Sequence, residues 1–239
     1  MNDDRVNELA TKLARVEQRV QAACEAAGRS RADVTLIVVT KTYPATDVQL
    51  LSGLGVTDVG EARHPEAGRK VAACVAAGLH LTWHFVGAVQ TNKAANIARY
   101  ADLVHSVDRL RLVHALDAGA QRAERVLDCL VQLDLDPSDR GRTGQRSGTS
   151  IADLPAVLTA VAAADWLRLR GVMTVAPPRS DPAESFDRLS ALAAEMIAEH
   201  PAADLVSAGM SDDLEQAVAA GATHLRVGRA VLGERPPLR

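Results

Sequence analysis

Apolar and polar positions along this chain recur at two alternating periods, one of three to four residues and one of continuous short apolar runs. Over residues 3–27, Val6, Leu9, Leu13, Val16 and Val20 fall on one face of an amphipathic helix, which Gly28 closes. Residues 34–40 (VTLIVVT) are apolar on both faces and β-branched, as a strand buried inside a parallel sheet must be. Further strands are predicted over 57–59, 81–85, 103–106, 126–133 and 167–173. Between them helices are predicted over 45–54, 65–77, from Gln90 onward, and over 108–122, 151–164 and 182–200.

The last of these patterns, residues 206–234 (VSAGMSDDLEQAVAAGATHLRVGRAVLGE), reads as strand, Ser/Gly turn, helix, strand and Gly turn. Its helix is predicted to begin at Ser211 or Asp212, with Leu214, Ala217, Val218 and Gly221 on the packed face. Residues 222–227 form the next strand, which Gly228 breaks. Eight strands separated by helices, without tandem repeat or linker, predict one domain over residues 1–239. Its architecture is a (β/α)8 barrel preceded by an extra N-terminal helix that caps the barrel's bottom or wraps its side. An open doubly wound sheet is the alternative, but no G-x-G-x-x-G turn follows the first strand, against a dinucleotide-binding version.

Composition narrows the function classes. A net charge of −3 gives no electrostatic case for nucleic acid or an anionic membrane. No apolar run reaches spanning length, and the acidic start MNDDRVNELA is unlike a secretion signal. Cys24, Cys74 and Cys129 are odd in number, far apart and in apolar contexts, which predicts reduced, buried thiols in a cytoplasmic protein. Residues 134–150 (DLDPSDRGRTGQRSGTS) predict a mobile polar loop.

The chemistry concentrates at two turns and one lysine. The turns Ser207-Ala-Gly-Met-Ser211 and Val227-Gly-Arg229 present backbone N–H groups after the last two strands, where α/β barrels cradle phosphate. In a closed barrel the first strand lies beside the eighth, so Lys41 emerges next to Arg226 and above both turns. Lys12, Lys70 and Lys93 fall in helical contexts expected to face solvent, whereas Lys41 alone ends an apolar strand. Burial and a neighbouring cation both favour the neutral amine that attacks a carbonyl; the competing reading is a lysine reaching solvent at a strand end. Lysine, anion cradle and arginine together suggest pyridoxal 5′-phosphate, with the internal aldimine on Lys41 and Arg226 facing the pyridine nitrogen. An arginine there disfavours protonation of that nitrogen and weakens the ring as an electron sink. His84 reads as a hydrogen-bonded core histidine, and His105 and His224 are scattered. No Cys/His/Asp spacing supports a metal site.

The segments Val39-Thr-Lys-Thr-Tyr-Pro44, Trp83-His-Phe-Val-Gly87 with Gln90-Thr-Asn-Lys93, Gly171-Val-Met173, Ala208-Gly-Met-Ser-Asp-Asp213 and Leu225-Arg-Val-Gly228 follow one another in a specific order. In that order they resemble the signature segments of the pyridoxal phosphate homeostasis proteins, the YggS/PROSC family, over essentially the whole chain. The resemblance implies a barrel like the N-terminal domain of alanine racemase (fold type III), with the cofactor on Lys41. It implies phosphate contacts from Ser207, Gly209, Ser211, Gly228 and the position of Arg229, with Arg226 near the ring nitrogen. It also implies intracellular buffering or delivery of the cofactor, with transient contact to apo-enzymes that use it, rather than catalytic turnover. Three departures stand out: Ala62 where the family has Asn, Arg229 where it has a small hydroxyl residue, and Arg146-Ser-Gly148 where it has Lys-Ser-Gly. Arg229 either pairs with the phosphate or turns outward as a solvated residue starting a helix. The chain's end soon after the last strand leaves no second domain to bring an acid to the cofactor's far face, which favours a carrier. A racemase-like enzyme on the same fold is the alternative; a cofactor-free aldolase and an interaction module acting through the 134–150 loop are further ones.

Overall fold

A computed structural model describes residues 2–136, 147–178 and 180–234. Eight parallel strands close into a barrel in sequence order: β1 (Thr35–Val39), β2 (Asp58–Glu61), β3 (Thr82–Phe85), β4 (Leu103–Val107), β5 (Leu127–Leu133), β6 (Leu167–Thr174), β7 (Leu205–Ser207) and β8 (His224–Val227). Closure is made by β1 and β8, with Thr35 opposite His224 and Val38 opposite Val227. An N-terminal helix, α1 (Asn2–Ala26), precedes the first strand. Around the barrel lie α2 (Ala45–Gly53), α3 (Glu66–Ala76), α4 (Ala94–Ile97), α5 (Leu110–Arg122), α6 (Leu154–Ala162), α7 (Pro182–Glu199), α8 (Leu214–Ala219) and α9 (Arg229–Leu232). The main core lies between strands and helices, where Phe85, Ile97, Leu112, Leu116, Leu127 and Phe186 are fully buried.

The extra helix α1 wraps the side of the barrel. Its face of Leu9, Val16 and Val20 is buried, and it packs on α2, α8 and α9, the helices that flank the β1–β8 closure. Polar side chains tie it down at both ends: Arg5 reaches Asp47 at 2.6 Å, and Arg19 donates to Glu215 and to the Ser211 carbonyl at 2.9 Å. The helix therefore braces the two strands whose exits form the mouth discussed below.

Several boundaries differ from the sequence reading. Helix α8 starts at Leu214, because residues 211–213 form a turn in which Asp213 accepts from the Met210 N–H. Gly221 lies beyond the helix at φ +94°, a left-handed conformation that suits glycine and ends the helix rather than packing its face. The short helix α9 begins at Arg229, as the helix-starting alternative for that residue had it, although four residues carry no detectable period. β2 extends through Gly60 and Glu61. Of the polar loop over 134–150, residues 137–146, Arg146 included, lie outside the described residues. Its ends are tied together, with Asp134 N donating to the Thr149 carbonyl at 3.0 Å and Thr149 N to that of Gln132 at 2.7 Å. Cys24, Cys74 and Cys129 are free and buried. Among the described residues, no helix is long and apolar enough to cross a membrane.

Candidate functional site

Where the strands end on one face of the barrel, a cleft of about 820 Å³ opens. Its lining includes Lys41, Ser211, Arg226, Gly228 and Arg229, together with Tyr43, Met210 and Asp212. That volume falls within the range of roughly 300–1,000 Å³ usual for small-molecule sites. The pairing of β1 with β8 is what brings residue 41 to residues 226–229.

Lys41 sits two positions past β1, half-buried, in a turn that the neighbouring residues grip. Thr42 has φ +72°, a left-handed conformation rare for a β-branched residue, at a strain of about 1–3 kcal/mol. It is held by its N–H donating to Glu66 Oε1 at 2.7 Å. On the other side of Lys41, the Thr40 carbonyl accepts from Lys70 Nζ at 2.8 Å and the Thr40 hydroxyl donates to Glu61 Oε1 at 2.6 Å. Lys70 also donates to Glu61 in an ion pair that is almost wholly buried. This corrects the expectation that Lys70 faces solvent. Ala67, Lys70, Val71 and Cys74 are the buried positions of α3, so helical spacing already placed Lys70 on the apolar face; residue type misled. Burial pushes the Glu61 carboxyl above its ordinary range despite Lys70 and Thr40, and its Oε2 is buried without a partner.

Arg226 projects from β8 into the barrel mouth and is 5% exposed. Its Nη1 donates to Ser207 Oγ at 2.7 Å and its Nη2 to the Thr174 carbonyl at 2.8 Å. Burial lowers its pKa to about 10, which leaves it a cation at neutral pH. Ser207 is fully buried beneath the cleft, its hydroxyl shared between Arg226 and His105 Nδ1 (2.9 Å). Gly209 lies in the turn above it at φ +89°, where a Cβ would come within 2.6 Å of the Ala217 Cβ and 2.8 Å of Leu225 Cδ2. Its glycine is thus demanded by the packing of that turn on α8 and β8, and its carbonyl accepts from Arg226 N at 2.9 Å.

The two turns meet at Ser211, whose Oγ accepts from Ala230 N at 3.3 Å. Gly228 allows the exit of β8 to approach that of β1, since a Cβ there would lie 3.0 Å from the Val39 carbonyl oxygen. Arg229 points to the rim, where its guanidinium pairs with Asp212, both side chains well exposed.

Sequence reasoning missed a second polar assembly. His84 and His105 are buried in the barrel interior, His84 Nδ1 lies 3.0 Å from His105 Nε2, and His84 Nε2 lies 3.0 Å from Asp58 Oδ1. The His224 ring stands 6.2 Å from that of His84 and 6.5 Å from that of His105. The three histidines read as scattered are therefore one cluster, below Arg226. Burial holds His105 well below the usual imidazole range and lowers His224 to about 4. Burial also pushes the Asp58 carboxyl up, but hydrogen bonds from His84 and Thr57 outweigh it and leave the group below its ordinary value. The period-2 alternation of β2, β3, β4, β7 and β8 puts Asp58, His84, His105, Ser207 and Arg226 on the inner face. That signal becomes legible only once the sheet is known to close.

Comparison with known proteins gives a consistent picture. Residues 11–236 match the family model described as alanine racemase, N-terminal domain. The chain is 43% identical to the pyridoxal phosphate homeostasis protein of Mycobacterium tuberculosis H37Rv, over 97% of this chain and 95% of that one. It is 33% identical to the protein of the same name from Escherichia coli K12, over 96% of this chain and 98% of that one. Among solved structures it resembles PipY of Synechococcus elongatus PCC7942, solved with PLP bound, at a TM-score of 0.79 and 32% identity over 94% of this chain and 100% of that one.

Proposed function

We propose that this chain, which belongs to the pyridoxal phosphate homeostasis protein family, binds pyridoxal 5′-phosphate at the β1–β8 mouth and holds it for intracellular buffering and delivery. The observation carrying this reading is that one cleft joins the Lys41 amine, the Arg226 cation and the Ser211 and Gly228 turns. Their chemistry fits the group: an amine for an aldehyde, and a hydroxyl with glycine-bearing backbone for a phosphate. When bound, the cofactor supplies an aldehyde that an amine captures in a reversible covalent link.

The protein's residues then have distinct roles. Lys41 is the capturing amine, and the grip on Thr40 and Thr42 fixes where it stands. Ser211, Gly209 and Gly228 shape the anion-holding turns, with Ser211 joining them. Ser207 acts from below by holding Arg226, and Arg226 would face the ring nitrogen of a bound cofactor, where its charge would disfavour a second positive charge. Arg229 lies at the rim, turned outward and paired with Asp212, and would reach a bound phosphate only by leaving that partner. Neither of the chain's two tyrosines is placed as an acid across the cleft: the Tyr43 hydroxyl donates to the Gly233 carbonyl at 2.8 Å, and Tyr100 stacks on His64. This placement favours a carrier over a two-sided acid/base enzyme; the carrier reading extends to one domain over residues 1–239, in the cytoplasm, passing cofactor transiently to apo-enzymes.

Borohydride reduction followed by intact-mass measurement tests the reading. Wild type loaded with pyridoxal phosphate is expected to gain one cofactor adduct, and Lys41→Ala none. An adduct of equal yield in Lys41→Ala would overturn the assignment of Lys41. Amino-acid racemisation by the loaded protein at enzyme-like rates, abolished in Lys41→Ala, would replace the carrier reading with the enzymatic one.

A further inference from the structure

The barrel interior holds a line of five polar side chains that runs from the cleft to the opposite end of the sheet. Successive separations are 2.7 Å from Arg226 Nη1 to Ser207 Oγ, 2.9 Å on to His105 Nδ1, 3.0 Å from His105 Nε2 to His84 Nδ1, and 3.0 Å from His84 Nε2 to Asp58 Oδ1. Ser207 and His105 are wholly buried and His84 is 3% exposed, while the Asp58 side chain is 22% exposed at the first residue of β2. The line thus crosses the barrel, one end in the cleft and the other near solvent.

For rings that each carry one N–H, its two ends fix the sense. An ionised carboxylate only accepts, and a guanidinium only donates. His84 Nε2 must therefore carry the hydrogen that Asp58 receives. With that single hydrogen on the ring, His84 Nδ1 is an acceptor, so His105 Nε2 carries the next hydrogen. The His105 ring, neutral by burial, is then an acceptor at Nδ1, and Ser207 donates its only hydrogen there. What remains on the Ser207 oxygen is lone pairs, and these face Arg226. All four bonds point the same way, from arginine to aspartate, an arrangement in which each bond polarises the next. The second oxygen of Asp58 accepts from the Thr57 hydroxyl at 2.7 Å, and His224 turns its Nδ1 to Thr223 at 2.9 Å and stands outside the line.

We infer that Asp58, His84 and His105 are positioning residues: from the far end of the barrel they orient the Ser207 hydroxyl as an acceptor and so fix the Arg226 guanidinium in the cleft. The inference rests on the proposed function for what Arg226 faces, but not for the hydrogen order itself. Two of the five nitrogen-bound hydrogens of Arg226 are committed to Ser207 and Thr174, which sets the plane in which the rest are offered to a ligand.

The test begins with the full-length protein free of cofactor. Nitrogen-15 NMR of the imidazole rings at neutral pH is expected to show the Nε2–H tautomer at both His84 and His105. The Arg226 Nη hydrogens are expected as separate resonances, the mark of a guanidinium that does not rotate. Asp58→Ala is expected to mix the tautomers and average the Arg226 resonances, while Asp58→Asn, which can still present an oxygen to His84, restores both. A charged ring or an Nδ1–H tautomer at His105 would overturn the hydrogen order. Correct tautomers with Arg226 resonances unchanged in Asp58→Ala would overturn the positioning role. In cofactor-loaded protein, Asp58→Ala should release pyridoxal phosphate roughly two- to tenfold faster, the scale of one lost hydrogen bond, and Asp58→Asn should not. If the wild type bound no cofactor, the proposed function would fail while the tautomer and arginine readouts still decided the inference.

Discussion

Two polar assemblies are buried in this barrel, and they solve the burial problem in opposite ways. On the outer face, beneath the Lys41 turn, Lys70 and Glu61 form a buried ion pair, one carboxylate oxygen is orphaned, and the neighbouring Thr42 is strained. On the inner face, Arg226 and Asp58 are held apart by Ser207, His105 and His84, and each ring nitrogen has a partner. The outer pair is an expensive arrangement, because desolvating two charges costs several kcal/mol and the Coulomb attraction seldom more than offsets it. Its persistence under the turn that carries Lys41 fits a positional role, since Lys70 and Glu61 grip Thr40 while Glu66 grips Thr42. The inner line sets its cation and its carboxylate apart, with three side chains between them, and so conveys orientation. One cluster places the amine and the other aims the cation.

The sharpest way to break this contrast is to unpair the charged cluster. Lys70→Met leaves Glu61 buried with no cation and is expected to cost about 3–5 kcal/mol in urea unfolding. A loss below about 1 kcal/mol would mean the pair is already wet or neutral, and the distinction between the two assemblies would collapse.

Acid probes the inner cluster next. The pKa of His224 is lowered by burial from 6.5 to about 4. Between those values the unfolded chain binds a proton that the folded chain refuses, so stability is full above pH 6.5, falls from there to about pH 4 and levels off below it. At about 1.4 kcal/mol per pKa unit, the loss from this one group approaches about 3 kcal/mol. His105, shifted in the same direction, adds to it. Unfolding midpoints measured from about pH 7 to about pH 4 should show this fall, and His224→Gln should flatten it; an unchanged slope in that variant would exclude His224 as the source.

The smallest effect sharpens the claim of stored strain. Thr42→Gly removes both the left-handed β-branched conformation and a buried hydroxyl without a hydrogen-bond partner. Against the entropy lost by a glycine, the net expectation is a stabilisation of about 1 kcal/mol, read as a higher melting temperature. A clear destabilisation would show that the Thr42 side chain supports the turn rather than strains it.

Much of this was legible from residue order. The apolar run of β1 and the strand–turn–helix rhythm sufficed for an eight-stranded barrel, and barrel closure in turn put Lys41 near Arg226 and Gly228. Boundaries were lost where local side-chain chemistry overrode period: Asp213 capping the 210–213 turn delayed α8, and α9 is too short to show a pattern. Lys70 was misread because a lysine on an apolar helix face looks solvated until its buried partner, nine positions earlier, is seen across the gap between β2 and α3.

Local propensity and apolar period are properties of neighbouring residues, so the chain alone determined which segments are strands, which are helices and that they alternate. Hydrogen bonds between side chains depend on direction at the scale of an ångström and join residues far apart in the chain, 102 positions for His105 and Ser207 and 196 for Arg19 and Glu215. Only the closed sheet, with its fixed inward face, decided that three separate histidines share one interior, that a serine at the start of the anion turn holds an arginine from below, and that a lysine and a glutamate are buried under another lysine's turn.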